Sequence, residues 1–223
     1  MKIIEYADRE ILAMQVADAL ASDLKNVLLT HDRASVALPG GTTPGPIFDI
    51  LCGLDLGWDR VDVMLTDERW VPEDHAMSNT QLLRSRLLTG HAAAANLIPF
   101  YRPNMTVATG AAEAAETLAP FMPLSLLVLG MGADMHTASL FPGSKGLNDA
   151  FASDAALLCP IEVEGQEFGR VTLPAHALKG AMATHLVIFG DDKRDALERA
   201  LSLPPEEAPI GAVLGKGTVH WAA

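Results

Sequence analysis

Cysteine is almost missing from this chain: of 223 residues only Cys52 and Cys159 carry a thiol, and they form no CxxC pair. That excludes a cysteine-built zinc site and a disulfide framework. The two are expected to be buried thiols in a reducing cytoplasm. Positive charge is also scarce, with 16 Lys and Arg against 28 Asp and Glu and a formal net charge of −12. Nucleic acid and anionic membrane surfaces are therefore excluded as expected partners. An anionic small substrate has to be met locally, by backbone N–H groups, helix amino ends and a few well-placed Arg or Lys side chains. No apolar run approaches the roughly 18 residues of a membrane helix. The opening Met1-Lys2-Ile3-Ile4-Glu5-Tyr6-Ala7-Asp8 lacks the basic start and long apolar stretch of a signal peptide. A cytoplasmic location is expected. No repeat, low-complexity tract or linker divides the chain, and Pro204-Pro205-Glu206-Glu207 reads as an exposed turn.

What is present is apolar residues, at 49% of the sequence, enough for a sizeable core. The length suits one α/β domain over residues 1–223. Strand and helix signals alternate. Lys2–Tyr6 reads as a short strand, followed by a helix over 8–28 with Ile11, Leu12, Val16, Leu20 and Leu24 at helical spacing. Ser35–Leu38 reads as a buried strand that breaks at Pro39-Gly40-Gly41, with a helix from Pro44. Val61–Thr66 is a further strand, and a helix begins at Ser78, where Ser78 and Gln81 have capping-box spacing. Leu124–Leu129 is the most apolar strand. Val171–Leu173, Leu186–Phe189 and Val219–Trp221 read as extended, with a helix over 192–201. Such alternation predicts a three-layer α/β/α, Rossmann-like fold whose largely parallel sheet carries helices on both faces. Ligands of such sheets sit beyond the carboxyl ends of the strands.

Three segments fall at those ends. In Leu38-Pro39-Gly40-Gly41-Thr42-Thr43-Pro44, two glycines turn the backbone, Thr42 or Thr43 is expected to cap the next helix, and Pro44 suits its first position. Gly40, Gly41, Thr42 and Thr43 thus form a candidate phosphate cradle. It is not a Walker A loop, because no GK[ST] follows. Thr66-Asp67-Glu68-Arg69-Trp70-Val71-Pro72 runs from a strand straight into three charges at the sheet's edge, with Ser78-Asn79 beyond. Arg69 can clamp an anionic oxygen in bidentate fashion. Gly130-Met131-Gly132-Ala133-Asp134-Met135-His136 follows the most apolar strand. A GxGxxG dinucleotide loop is excluded there, because Met135 stands where the third glycine is needed. The loop instead presents Asp134 and His136, and an imidazole serves well as a general base near neutral pH. The other histidines, His31, His75, His91, His176, His185 and His220, lack a comparable setting. No HExxH motif supports a metal.

Taken together, Pro39-Gly40-Gly41-Thr42-Thr43-Pro44, Asp67-Glu68-Arg69-Trp70-Val71-Pro72 with Ser78-Asn79, and Leu129-Gly130-Met131-Gly132 with His136-Thr137-Ala138-Ser139-Leu140-Phe141-Pro142-Gly143 resemble the 6-phosphogluconolactonase family. Weaker matches are Arg170-Val171-Thr172-Leu173-Pro174, Gly190-Asp191-Asp192-Lys193 and Val219-His220-Trp221. The related glucosamine-6-phosphate deaminases continue His-Ile-Ala-Phe-Asn-Glu-Pro after their histidine, which this chain does not. The family usually has glycine where this chain has Met135, which implies a positive φ or a close ligand approach at that position.

The resemblance implies hydrolysis of 6-phospho-D-glucono-1,5-lactone in the pentose phosphate pathway, without cofactor, metal or covalent nucleophile. It assigns His136 as general base, Asp134 to position the loop or the imidazole, and Arg69 to anion or oxyanion binding. Gly40, Gly41, Thr42, Thr43, Asp67, Asn79, Arg170 and Lys193 are the expected substrate contacts. The partner is a phosphosugar lactone, met by a monomer or weak homodimer. A sugar-phosphate deaminase or isomerase, and a non-catalytic sugar-phosphate sensor, are the alternatives.

Overall fold

The computed structural model describes residues 1–223. Its elements in chain order are β1 (Lys2–Glu5), α1 (Arg9–Leu28), β2 (Ala34–Leu38), α2 (Gly45–Leu51), β3 (Val61–Leu65), β4 (Asp67–Arg69), α3 (Asn79–Arg86), β5 (Asn96–Leu97) and α4 (Val107–Leu118). There follow β6 (Leu126–Leu129), α5 (Leu147–Phe151), β7 (Cys159–Ile161), β8 (Arg170–Thr172), α6 (Ala175–Lys179), β9 (Ala183–Phe189), α7 (Asp191–Ala200), α8 (Pro209–Val213) and β10 (Thr218–Ala222). Helix α1 begins where Asp8, in extended backbone, accepts a hydrogen bond from the Ile11 N–H at 2.8 Å. Leu12, Val16, Leu20 and Leu24 then form its buried stripe, each contributing roughly 1.5–3 kcal/mol of burial. Ile11, expected on that stripe, lies off it and is exposed.

The main sheet runs β1-β10-β9-β6-β2-β3-β5, and all its pairings are parallel. Alternate side chains of a strand point to opposite faces, yet every residue of β2, β3 and β6 is buried. Both faces of the sheet's centre are therefore covered, which is the expected three-layer α/β/α arrangement. One contiguous cluster of 56 buried residues extends from Leu12 to Ala222, so both halves of the chain share a core.

The chain moves outward from β2 through β3 to β5, and in the other direction from β6 through β9 to β10. The order reverses between β2 and β6, which lie side by side with Val36 opposite Leu126 and Ala37 opposite Leu127. Loops leaving two such strands diverge and open a crevice. They are the Pro39–Thr43 and Gly130–Gly132 segments, so topology alone brings the first and third motifs together.

A second sheet was not legible in the sequence. β4, β8 and β7 form a three-stranded antiparallel sheet that sets Asp67 opposite Thr172, Glu68 opposite Val171 and Arg69 opposite Arg170. Of Asp67-Glu68-Arg69, expected as three charges at the edge of the sheet, Asp67 and Glu68 are buried within this second sheet. Two smaller expectations also change. Cys159 is buried, and burial pushes its thiol pKa up to about 11, but Cys52 is only half-buried. Helix α2 is capped by neither threonine; Pro44 occupies its N-cap, without a side-chain bond.

Candidate active site

A cleft of about 280 Å³ opens at the reversal point. Gly40, Gly41, Thr42 and Thr43 reach it from the loop after β2, Asp67 and Arg69 from β4, and Asn79 from the start of α3. His136 enters from the loop after β6, Arg170 from β8 and Lys193 from the first turn of α7. Of the residues nominated from sequence, only Asp134 does not line it. It stands behind His136 instead.

The His136 loop is a tight turn closed by two backbone bonds of 3.0 Å, Gly132 N–H to the His136 carbonyl and Met135 N–H to the Gly132 carbonyl. The imidazole and the Asp134 carboxylate fold back over Gly132, where a Cβ would collide with both, so only glycine fits. His136 Nδ1 lies 2.5 Å from Asp134 Oδ1. A carboxylate oxygen only accepts, so Nδ1 carries the proton. In the neutral ring Nε2 then holds the lone pair, and it has no protein partner. Phe141 stacks on the imidazole with centroids 4.0 Å apart and planes at 24°. Met135 has the positive φ, 67°, that the family's glycine implies. Its side chain packs against the core and does not line the cleft.

The second feature is a pair of arginines directly opposite each other on β4 and β8. Arg69 Nη1 donates to the Met77 carbonyl at 2.7 Å, while its Nε is buried without a partner. Arg170 is only 8% exposed, and its Nε donates to Ser139 Oγ at 3.0 Å. Burial pulls the Arg170 pKa down; Asp67 opposes this and Arg69 adds to it. Like charges set opposite each other in a sheet repel, and neither arginine is in a salt bridge. In a chain of net charge −12, the cleft therefore concentrates positive charge that an anion can neutralise.

Behind the arginines stands Glu68, a fully buried carboxylate that the sequence did not single out. Its Oε1 accepts from the backbone N–H groups of Arg69 and Asn79, both at 2.8 Å. Its Oε2 accepts from the Thr80 N–H at 2.8 Å and from Ser78 Oγ at 2.9 Å. Burial raises the Glu68 pKa, and these four donors pull it back. Glu68 thus satisfies two of the free N–H groups at the start of α3. The Ser78–Gln81 capping box is only half formed: Ser78 Oγ accepts from the Gln81 N–H at 3.3 Å, but the Ser78 N–H goes to the His75 carbonyl. Asn79 crosses the cleft floor, donating from Nδ2 to the Asp67 carbonyl at 2.9 Å, and a Cβ at Gly40 would strike its amide. Asp67 lines the cleft, but Thr66 and Ser139 hydroxyls donate to its two carboxylate oxygens at 3.1 and 2.6 Å.

Known proteins share this architecture. The family model described as glucosamine-6-phosphate isomerases/6-phosphogluconolactonase matches residues 7–221. A 6-phosphogluconolactonase of Pseudomonas aeruginosa is 38% identical over 94% of this chain and 90% of its own length. One from Mesorhizobium japonicum is 37% identical over 97% of this chain and 93% of its own length. The crystal structure of a 6-phosphogluconolactonase from Shewanella baltica superposes with a TM-score of 0.95 at 32% identity, covering 100% of this chain and 98% of that one. The chain belongs to the family of glucosamine-6-phosphate isomerases and 6-phosphogluconolactonases.

Proposed function

We propose that this protein hydrolyses 6-phospho-D-glucono-1,5-lactone to 6-phospho-D-gluconate. The observation that carries the reading is His136: Nδ1 is held by Asp134 and Nε2 is unpartnered, in a cleft that also contains two arginines outside any salt bridge. A proton acceptor beside an anion site suits the hydrolysis of a phosphorylated lactone. The phosphate is assigned to Arg69 and Arg170, with Lys193 and the Gly40–Thr43 loop completing the anion-binding wall.

The lactone carbonyl at C1 then faces His136. Nε2 takes a proton from water as the water oxygen bonds to C1, and the carbonyl oxygen takes up the negative charge. Asp134 stabilises the imidazolium formed. When the tetrahedral intermediate collapses, the bond from C1 to the ring oxygen breaks. His136 returns its proton to that oxygen, leaving the open-chain acid and a free hydroxyl. A lactone is an activated ester, so base assistance and positioning suffice.

The test is to generate the lactone in situ and follow proton release above the spontaneous rate, with wild type and His136→Ala. Wild type should accelerate ring opening, and the variant should lose roughly 10²–10⁴-fold. A wild type at the spontaneous rate would overturn the reading. A variant as fast as wild type would keep the reaction and remove His136 as its base. Release of ammonia from glucosamine 6-phosphate by wild type would move the chain to the isomerase branch of its family.

A further inference from the structure

We infer that Ser139 is a positioning residue: its hydroxyl is a spacer that holds Arg170 beside Asp67 while keeping the guanidinium fork open for the substrate's phosphate. The inference rests on the lactonase reading above and concerns a residue to which the mechanism gives no part. Ser139 is fully buried, three residues past His136. Its Oγ accepts from Arg170 Nε at 3.0 Å and donates to Asp67 Oδ2 at 2.6 Å. The direction of this relay is forced, because a guanidinium only donates, a carboxylate only accepts, and the hydroxyl owns one proton. The Ser139 N–H also donates to Thr172 Oγ1 at 3.3 Å, tying the His136 loop to the strand that carries Arg170.

The consequence lies in what the spacer prevents. A buried arginine next to an aspartate ordinarily forms a bidentate pair, which consumes the two N–H groups that recognise phosphate. Here the serine takes up Nε, and Nη1 and Nη2 have no protein partner, although the cleft lies beside them. Asp67 still offsets the buried positive charge from one atom further away. Phe141 completes the fixture: the Arg170 guanidinium carbon lies 5.1 Å from its centroid, and the same ring stacks on His136. Ser139 therefore sets the orientation of the anion clamp relative to the base.

The experiment compares wild type with Ser139→Ala and Ser139→Cys, the second keeping side-chain bulk with a weak acceptor. It measures KM and kcat for the phospholactone, the inhibition constant of 6-phosphogluconate, and the pH profile of kcat. The expected result is a rise in KM and in the inhibition constant together, by roughly ten- to hundredfold. The kcat and its pH profile should stay close to wild type, since His136 is untouched. If the alanine variant does not fold, the cysteine variant is read in the same way. A fall in kcat with KM and product inhibition unchanged would show a merely structural serine and overturn the inference. So would a KM and an inhibition constant that both stay at the wild-type values. Wild type without turnover would bring down the lactonase reading and this inference together.

Discussion

Acidification from pH 7 to pH 5 is expected to cost the protein about 2 kcal/mol of stability at one residue, His220. On the β1-β10-β9 side of the sheet, four side chains that do not line the cleft form a hydrogen-bonded wire. Tyr6 Oη lies 2.7 Å from His220 Nδ1, His220 Nε2 lies 2.9 Å from His185 Nδ1, and His185 Nε2 lies 2.8 Å from Asp23 Oδ2. With both imidazoles neutral, every proton has one acceptor: tyrosine donates to His220, His220 to His185, and His185 to the carboxylate. An added proton on His220 enters a buried site beside His185 and Lys2. Burial, then those two neighbours, lower its pKa from 6.5 to about 4. The unfolded chain therefore takes up a proton that the folded chain refuses between those values. Stability from this residue is complete above pH 6.5, shrinks as pH falls, and is gone near pH 4. At about 1.4 kcal/mol per pKa unit, the interval from pH 7 to pH 5 removes about 2 kcal/mol. Urea unfolding at the two pH values, for wild type and His220→Gln, reads the effect of His220 with its coupled neighbour His185, because titrating groups away from the wire cancel in the difference. The variant should be less stable at pH 7 but lose about 2 kcal/mol less on acidification. Parallel pH dependence in the two proteins would refute the argument.

Two further substitutions probe the residues around the cleft. Glu68→Gln keeps the shape of the buried side chain but turns an NH₂ toward donors, so about 3 kcal/mol should be lost. For a chain of this length that corresponds to a Tm lower by roughly 6–12 °C in calorimetry, and an unchanged Tm would contradict the assigned role of Glu68. Met135→Gly exchanges roughly 1–2 kcal/mol of left-handed backbone strain for lost packing and a more flexible unfolded chain. Its stability should change by less than about 1 kcal/mol, and kcat/KM should stay within roughly threefold of wild type. A large gain in kcat/KM would mean that the methionine obstructs the cleft.

How much of this was legible in the sequence depends on the range of the physics involved. Local signals carried seven of the strands, the helices α1, α2, α3 and α7, and the His136 loop, through apolar runs, paired glycines and a histidine just past the most apolar strand; β4, β5, β7 and the helices α4, α5, α6 and α8 were not read from the sequence. The backbone at Met135 was anticipated through the family resemblance, whose glycine there implies a positive φ or a close ligand approach, and a φ of 67° is found. The threonine cap failed because Pro44 takes the N-cap of α2, a choice among adjacent residues that spacing does not decide. The wire through His185 and His220 was missed for a different reason. Those residues are 35 positions apart and meet only because β9 and β10 are parallel neighbours in one register.

The proposed arginine clamp is the clearest case of a juxtaposition created by register. Arg69 and Arg170 are about a hundred residues apart, and neither spacing nor composition relates them. They face each other because β4 pairs with β8 antiparallel, with Asp67 on Thr172 and Arg69 on Arg170. A slip of one residue would turn alternate side chains to the other face. It would bury Val171 where Arg170 now meets the cleft and separate Arg170 from Ser139. The register is pinned by neighbouring groups that take no part in the proton transfer. Glu68 locks β4 to the start of α3, and Ser139 and Thr172 lock β8 to the His136 loop. The repulsion between the buried Arg170 and the half-buried Arg69 is thus held in place by neighbouring hydrogen bonds, and on the proposed reading it is relieved when an anion binds.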